Sequence, residues 1–271
     1  MVFMPKKSEI LVLGATHGNE PFGKALVESL EANSVDGVDQ VIANEAAAAL
    51  GVRYIDTNLN WRTSPEDNTY EGQRLQWLIG RCANAKMILD MHNAKNSDRR
   101  ELWLHQPTEE TKAVARWILD RTGIRHVVEG SENLLFYRHL PQDVTVELGI
   151  PDDNDYPEWE KDQLGVWREI VTEIAKVGIR NLDASLHPDT VFVKMVTEPT
   201  REVAKRAGLD ELPRFAAYDT LPDEAARALG LPADSGYRVQ SSHYNNSSRI
   251  VPGTGEREIW GAIVKEIDPI L

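Results

Sequence analysis

The chain has 271 residues, enough for one large α/β domain or for a medium domain together with a smaller one. Its formal net charge of -13 repels nucleic-acid phosphates and anionic membrane surfaces, so neither is expected as a partner. Its single cysteine, Cys82, excludes an intramolecular disulfide. The sequence shows neither a signal peptide nor an apolar stretch of membrane-spanning length, so we expect a cytoplasmic protein.

Short apolar runs alternate with helical patterns over the first two thirds of the chain. Strands are predicted at Ile10–Leu13, Gln40–Ala43, Arg53–Ile55, Met87–Leu89 and Val144–Val146, and helices at Pro21–Leu30, Gly72–Cys82, Thr111–Thr122 and Trp159–Lys176. The alternation predicts an α/β fold with a largely parallel or mixed sheet flanked by helices. A strand pattern at Val191–Val196 and frequent Pro and Gly then predict a change of architecture. We therefore expect a catalytic domain at 1–185 and a smaller, partly β cap domain at 186–271.

Polar side chains that can bind metal or move protons follow three of the predicted strands. His17, His92 and Glu147 each come after a short apolar run. Because ligand crevices in open α/β sheets lie beyond the carboxyl ends of strands, these side chains could meet at one rim of the sheet.

The spacing of His17 and Glu20 forms an H-x-x-E pair, in which Gly18 permits a sharp turn between the two side chains. His92 would complete a set of two histidines and one glutamate, and catalytic zinc sites use three protein ligands. Taken alone, the pair is better explained by a surface His17 and a capping Glu20, because such pairs are common.

Asp90 lies two residues before His92, so on a strand both side chains point to the same side. This spacing favours Asp90 as the partner that orients a ligating histidine, with a plain structural role as the alternative. The remaining histidines show no ligand spacing and are interpreted as structural: His105, His126, His139, His187 and His243.

Four ordered motifs carry a resemblance to a known family. They are Gly14-Ala15-Thr16-His17-Gly18-Asn19-Glu20, Arg53-Tyr54-Ile55-Asp56-Thr57-Asn58-Leu59-Asn60, Asp90-Met91-His92-Asn93 and Val146-Glu147-Leu148-Gly149. In this order they resemble the motifs of the succinylglutamate desuccinylase/aspartoacylase family, relatives of the zinc carboxypeptidases. The resemblance covers about residues 9 to 150. It implies a zinc-carboxypeptidase-like mixed sheet flanked by helices.

The resemblance also implies roles for the matching residues. One zinc ion per chain would be held by His17, Glu20 and His92. Glu147 would act as the general base, and Arg53 would polarise the scissile carbonyl. From the residues alone, Arg53 could instead pair with a surface acid and Glu147 could cap a loop.

Substrate recognition is where the sequence departs from the family pattern. Asn60 matches the residue that positions the substrate, but the following carboxylate-binding arginine is replaced by Trp61, and Arg62 comes one residue later. Trp61 could line the pocket or belong to the core. Asn93 and Arg138 are further candidates for substrate contact, although Arg138 does not have the family's spacing.

The function expected from these residues is hydrolysis of an amide bond in an N-acyl amino acid or a related small compound. The alternatives are a metallocarboxypeptidase that acts on a short peptide and a non-catalytic zinc-binding protein with the same fold. A small-molecule N-acyl substrate is the expected partner, and the sequence leaves homo-oligomer formation open.

Overall fold

The computed structural model describes residues 8–59, 63–95, 100–105, 107–130, 139–140, 142–150, 155–197, 201–206, 219–232, 237–242, 261–268 and 270–271. The chain divides into two compact units, one formed by Met1–Thr190 with Ile270–Leu271 and the other by Val191–Pro269. The sequence pattern places this boundary a few residues earlier, between 185 and 186.

A mixed sheet forms the centre of the first unit. Its strands are β1 (Ser8–Gly14), β2 (Val38–Ile42), β3 (Ala85–Lys95), β4 (Arg100–Leu104), β5 (His126–Glu129) and β6 (Asp143–Ile150). They lie in the order β2-β1-β3-β6-β4-β5. β2, β1, β3 and β6 are parallel, β4 is antiparallel to β6, and β5 is parallel to β4. The prediction of an α/β fold with a mixed sheet is confirmed.

The helices of the first unit are α1 (Pro21–Ala32), α2 (Glu45–Leu50), α3 (Tyr70–Cys82), α4 (Glu109–Arg121) and α5 (Tyr156–Val177). α1 begins with Pro21, whose missing N–H costs nothing in a first helical turn. The Thr69 side chain accepts a hydrogen bond from Gly72 N–H at the start of α3, and Thr108 forms a capping box at the start of α4.

The two faces of the sheet pack against different helices. Leu11 and Ile88 are register partners on β1 and β3, and both belong to the apolar cluster that contains Leu75 and Leu78 of α3. α1 and α5 pack on the opposite face. Because strand side chains alternate between faces, His92 lies in phase with Ile88 on the α3 side.

The prediction of a strand at Arg53–Ile55 is wrong. This segment is a loop, and the backbone N–H groups of Ile55, Asp56 and Thr57 donate to the side chain of Glu71 instead of to a neighbouring strand. A side-chain acceptor therefore replaces the partners that a sheet would provide.

The second unit contains a smaller sheet with the strand order β7-β10-β9-β8, in which the neighbouring strands are antiparallel. Its elements are β7 (Val191–Thr197), α6 (Arg201–Arg206), β8 (Asp219–Thr220), α7 (Asp223–Ala228), β9 (Tyr237–Ser242) and β10 (Gly261–Glu266). Leu221, Val239 and Ile263 lie in its apolar core. Among the residues described in both units, no helix combines the length and apolar character needed to cross a membrane.

Candidate metal centre and active site

The loop after β1 brings His17 and Glu20 together. Ala15 takes a left-handed conformation with φ of 53°, and Glu20 N–H donates to the carbonyl of His17 at 3.0 Å. Gly18 is required for a different reason from the one expected. It does not have a positive φ, but a Cβ at this position would lie 2.2 Å from the carbonyl carbon of Ala47 in α2. The loop can thus approach α2 closely only with glycine at position 18.

His17, Glu20 and His92 form one buried group. Glu20 Oε1 lies 2.6 Å from His17 Nδ1, and Glu20 Oε2 lies 3.0 Å from His92 Nδ1. One potential ligand atom from each residue lies within 4.8 Å of the other two. The relative exposures of the three residues are 3%, 6% and 3%. This group could hold a metal ion.

The charges of these groups are strongly coupled. Burial alone would raise the pKa of Glu20, but His17 and His92 outweigh it and hold that pKa well below its ordinary value. Burial lowers the pKa of His17 in spite of the Glu20 carboxylate. For His92 burial acts in the same direction, but the carboxylates of Asp90 and Glu20 outweigh it and raise its pKa. Glu20 is therefore anionic and available as a ligand at neutral pH.

Asp90 fixes the orientation of His92. Its Oδ2 lies 3.0 Å from His92 Nε2, and its Oδ1 accepts a hydrogen bond from Thr16 Oγ1 at 2.7 Å. The residue is fully buried. Because Asp90 engages Nε2, Nδ1 of the ring is directed towards Glu20, as a histidine held for metal binding requires.

Arg53 reaches the same group from the loop between α2 and α3. Its NH1 donates to Glu20 Oε1 at 3.3 Å, and its NH2 lies 3.2 Å from His17 Nε2. Its Nε is buried and has no hydrogen-bond partner in the described part of the chain. The guanidinium thus lies beside His17 and Glu20, and these two contacts use only two of its five N–H donors.

Glu147 is the register partner of His92 on the neighbouring parallel strand β6. Partners on adjacent strands lie about 5 Å apart and point to the same face, so Glu147 is on the side of the sheet that carries His92. It is only half-buried, unlike the three residues of the potential metal site.

Of the proposed substrate-contacting residues, Asn60, Trp61, Arg62 and Arg138 lie outside the described residues. Asn93 is described and lies on the face opposite His92. Its Oδ1 accepts a hydrogen bond from Phe22 N–H in the first turn of α1 at 3.1 Å, and its own N–H donates to Glu20 Oε2 at 3.3 Å. These contacts support α1 and Glu20, and substrate binding by Asn93 stays a prediction.

Three buried carboxyl groups near the site were not identified from the sequence: Glu71, Glu101, which is the register partner of Glu147 on β4, and Asp143 at the start of β6. Asp143 Oδ2 accepts from Thr145 Oγ1 at 2.6 Å, while Oδ1 has no hydrogen-bond partner among the described residues. Burial and then the charge of Asp90 raise the pKa of Asp143 well above its ordinary value. The only sequence signal was an acidic residue next to an apolar strand, which is common.

Comparisons with known proteins agree with this geometry. A family model described as the succinylglutamate desuccinylase/aspartoacylase catalytic domain matches residues 6–150, which is more than half of the chain. No protein with curated functional information matches the sequence.

Solved structures share the fold over nearly the whole chain. Succinylglutamate desuccinylase from Chromobacterium violaceum is 17% identical with a TM-score of 0.69, and the match covers 98% of this chain and 86% of that one. Murine aminoacylase 3 is 18% identical with a TM-score of 0.56, and the match covers 97% of this chain and 89% of that one. At these identities the similarity shows the fold alone.

The raised pKa of Asp143 predicts how stability depends on pH. The folded state holds this proton more tightly than the unfolded state, so its stabilising contribution is complete below about pH 4 and is lost as pH rises through the folded pKa. Asp143→Asn keeps an acceptor for Thr145 and cannot ionise. In the metal-free protein, we expect the variant to exceed the wild type in melting temperature at pH 8 and the difference to shrink towards pH 4. A variant that is less stable at pH 8 would contradict the assignment.

Proposed function

Because the chain belongs to the succinylglutamate desuccinylase/aspartoacylase family, we propose that it is a zinc-dependent hydrolase of the amide bond in an N-acyl amino acid or a related small compound. Desuccinylases and aspartoacylases are amide-bond hydrolases. The observation that carries the proposal is the buried His17, Glu20 and His92 group with Arg53 beside it.

The donor set supports zinc as the metal. Two imidazole nitrogens and one carboxylate oxygen are a ligand set of catalytic zinc sites, which leave a further position open. The Nδ1 atoms of His17 and His92 both face Glu20, and Asp90 secures the opposite nitrogen of His92. When bound, zinc supplies a Lewis acid that lowers the pKa of water to about 7.

The remaining steps fall to side chains of the chain itself. Glu147, on the same face as His92, takes the proton from the attacking water and passes it to the leaving amine. The Arg53 guanidinium donates to the carbonyl oxygen as negative charge develops there, which typically contributes about 3 kcal/mol. NH1 and NH2 each carry two N–H groups, and the contacts to Glu20 and His17 use one N–H of each nitrogen.

The first test concerns the metal. We expect the purified protein to bind about one zinc ion per chain and His92→Ala to lose most of this affinity, because it removes a ligand. His187→Ala, which changes a histidine outside the buried group, is the matched control and should bind zinc like the wild type. Metal analysis after dialysis against a weak chelator measures both. Stoichiometric zinc in His92→Ala would refute the assignment.

The second test concerns the general base. Glu147→Gln should keep the zinc and the fold but lose about 10²–10⁴-fold in kcat, because it removes the group that moves the proton. Glu169→Gln, at an exposed position on α5, controls for loss of a carboxylate. Steady-state hydrolysis and zinc content are measured on both variants. Near-normal turnover by Glu147→Gln would mean that another group is the base.

The third test concerns the substrate. With Trp61 where the family pattern has an arginine, an acidic substrate loses a bidentate carboxylate contact, so we expect N-acetylaspartate and N-succinylglutamate to be poor substrates. Neutral or aromatic N-acyl amino acids should have higher kcat/KM. A panel that includes short peptides measures this and also detects carboxypeptidase activity.

Arg62 could supply the carboxylate contact that Trp61 cannot make, and kinetics of the two variants distinguish these cases. If the wild type hydrolyses N-acetylaspartate efficiently, and Arg62→Ala abolishes this activity whereas Trp61→Ala does not, Arg62 supplies the missing contact. The substrate would then be acidic.

A further inference from the structure

Glu71 is a fully buried carboxylate in the first turn of α3, and the proposed mechanism does not use it. Its Oε1 accepts hydrogen bonds from Ile55 N–H at 2.7 Å and from Asn44 Nδ2 at 3.2 Å. Its Oε2 accepts from Asp56 N–H at 3.0 Å and from Thr57 N–H at 3.2 Å. Four uncharged donors therefore share the two oxygens.

Hydrogen bonds from uncharged donors satisfy this buried acid. A carboxylate out of water usually needs a cation or a full set of hydrogen bonds. In the described part of the chain no lysine or arginine pairs with Glu71. Three consecutive main-chain N–H groups take that place, helped by the position of Glu71 at the positive end of α3. The carboxylate and the loop thus depend on each other.

The same loop is tied to α3 in the reverse direction. Asp56 Oδ2 accepts a hydrogen bond from Tyr70 N–H at 2.8 Å, while Asp56 N–H donates to Glu71, so Asp56 is bonded to two successive residues of α3. Before this segment, the Arg53 carbonyl accepts a hydrogen bond from Gly18 N–H in the loop after β1 at 3.1 Å. The main chain is therefore held by hydrogen bonds at Arg53 itself and again at Ile55, two residues later.

We propose that Glu71 is a positioning residue for Arg53. It fixes the loop at residues 55–57, and this keeps the Arg53 guanidinium against the His17 and Glu20 pair. The inference rests on the function proposed above for Arg53. Positioning matters because a displacement of about 1 Å at a reacting group can cost on the order of 100-fold in rate.

The role requires a carboxylate and not merely a polar side chain. A glutamine at this position would keep one acceptor oxygen and place an NH₂ group opposite either Ile55 N–H or the N–H groups of Asp56 and Thr57. Neither orientation of a carboxamide satisfies all the donors. Glu71→Gln therefore leaves part of the loop N–H groups without an acceptor, with almost no change in side-chain volume.

The first experiment needs no substrate. In zinc-loaded protein, hydrogen exchange of a peptide that covers residues 51–59 should be at least tenfold faster in Glu71→Gln than in the wild type, because one of the two acceptor oxygens is lost. Thr111→Val, which alters the capping box of α4, is the control for a general loss of stability and should leave this peptide unchanged. Unchanged protection in Glu71→Gln would overturn the proposal.

The second experiment is a double-mutant cycle of Glu71→Gln and Arg53→Ala, with hydrolysis of N-acetyl-L-phenylalanine as the assay. Glu71→Gln should lose at least tenfold in kcat/KM, mainly through kcat, at normal zinc content. In the Arg53→Ala background it should cause no further loss. An equal loss in both backgrounds would overturn the proposal, because Glu71 would then act independently of Arg53.

The two proposals can fail separately. If Arg53→Ala has full activity, the role proposed above for Arg53 fails, and if the wild type hydrolyses no compound of the substrate panel, the proposed hydrolysis fails. In both cases the exchange measurement still decides whether Glu71 holds the loop. If Glu71→Gln does not fold, Asp56→Ala is the substitute, because it removes the hydrogen bond from Tyr70 N–H of α3 to the same loop at an exposed position. It should show the same dependence on Arg53, and a loss that persists in Arg53→Ala would overturn the proposal.

Discussion

The Glu20 carboxylate is the group around which the site is arranged. A buried charge of this kind is tolerated only with good partners on both oxygens. Here His17 and Arg53 contact one oxygen, and His92 and the Asn93 N–H contact the other. Glu20 is also the N-cap residue of α1 but makes no side-chain cap. Asn93 accepts from the first turn of α1 instead, which leaves Glu20 for its polar partners.

The sequence predicted the meeting of distant residues better than it predicted local structure at Arg53. His17 follows β1, and His92 lies in β3 directly after Met91, the register partner of Gly14 at the end of β1, so the parallel pairing of the two strands brings them together. The run at Arg53–Ile55 has the composition of a short strand, but the N–H group of Ile55, like those of the next two residues, donates to the Glu71 side chain, 14 to 16 residues away. No local pattern contains that information. β5 is only four residues long and has polar residues at both ends, so periodicity could not reveal it.

The sequence also could not show that Glu71 and Asp143 are buried. Glu71 in a first helical turn and Asp143 at the start of a strand occupy positions where exposed acids are common. Their burial is decided by packing of segments far apart in the sequence. For Asp143, the neighbour that raises its pKa is Asp90, on another strand. Only the three-dimensional fold separates such groups from ordinary surface charges.

The contacts around Arg53 hold the chain on both sides of residues 60–62, where the sequence departs from the family pattern. The Arg53 carbonyl accepts a hydrogen bond from Gly18 in the loop after β1, and Ile55 in the chain that follows donates to Glu71 of α3. Further along, Thr63 Oγ1 donates to the Asn58 carbonyl at 2.9 Å, so the residues on either side of 60–62 are joined. Trp61, which stands where the family pattern has an arginine, therefore lies in sequence between Asn58 and Thr63, which this hydrogen bond joins. Under the proposed function, substrate preference can change at this position while the proposed metal ligands, the proposed base and Arg53 keep their places.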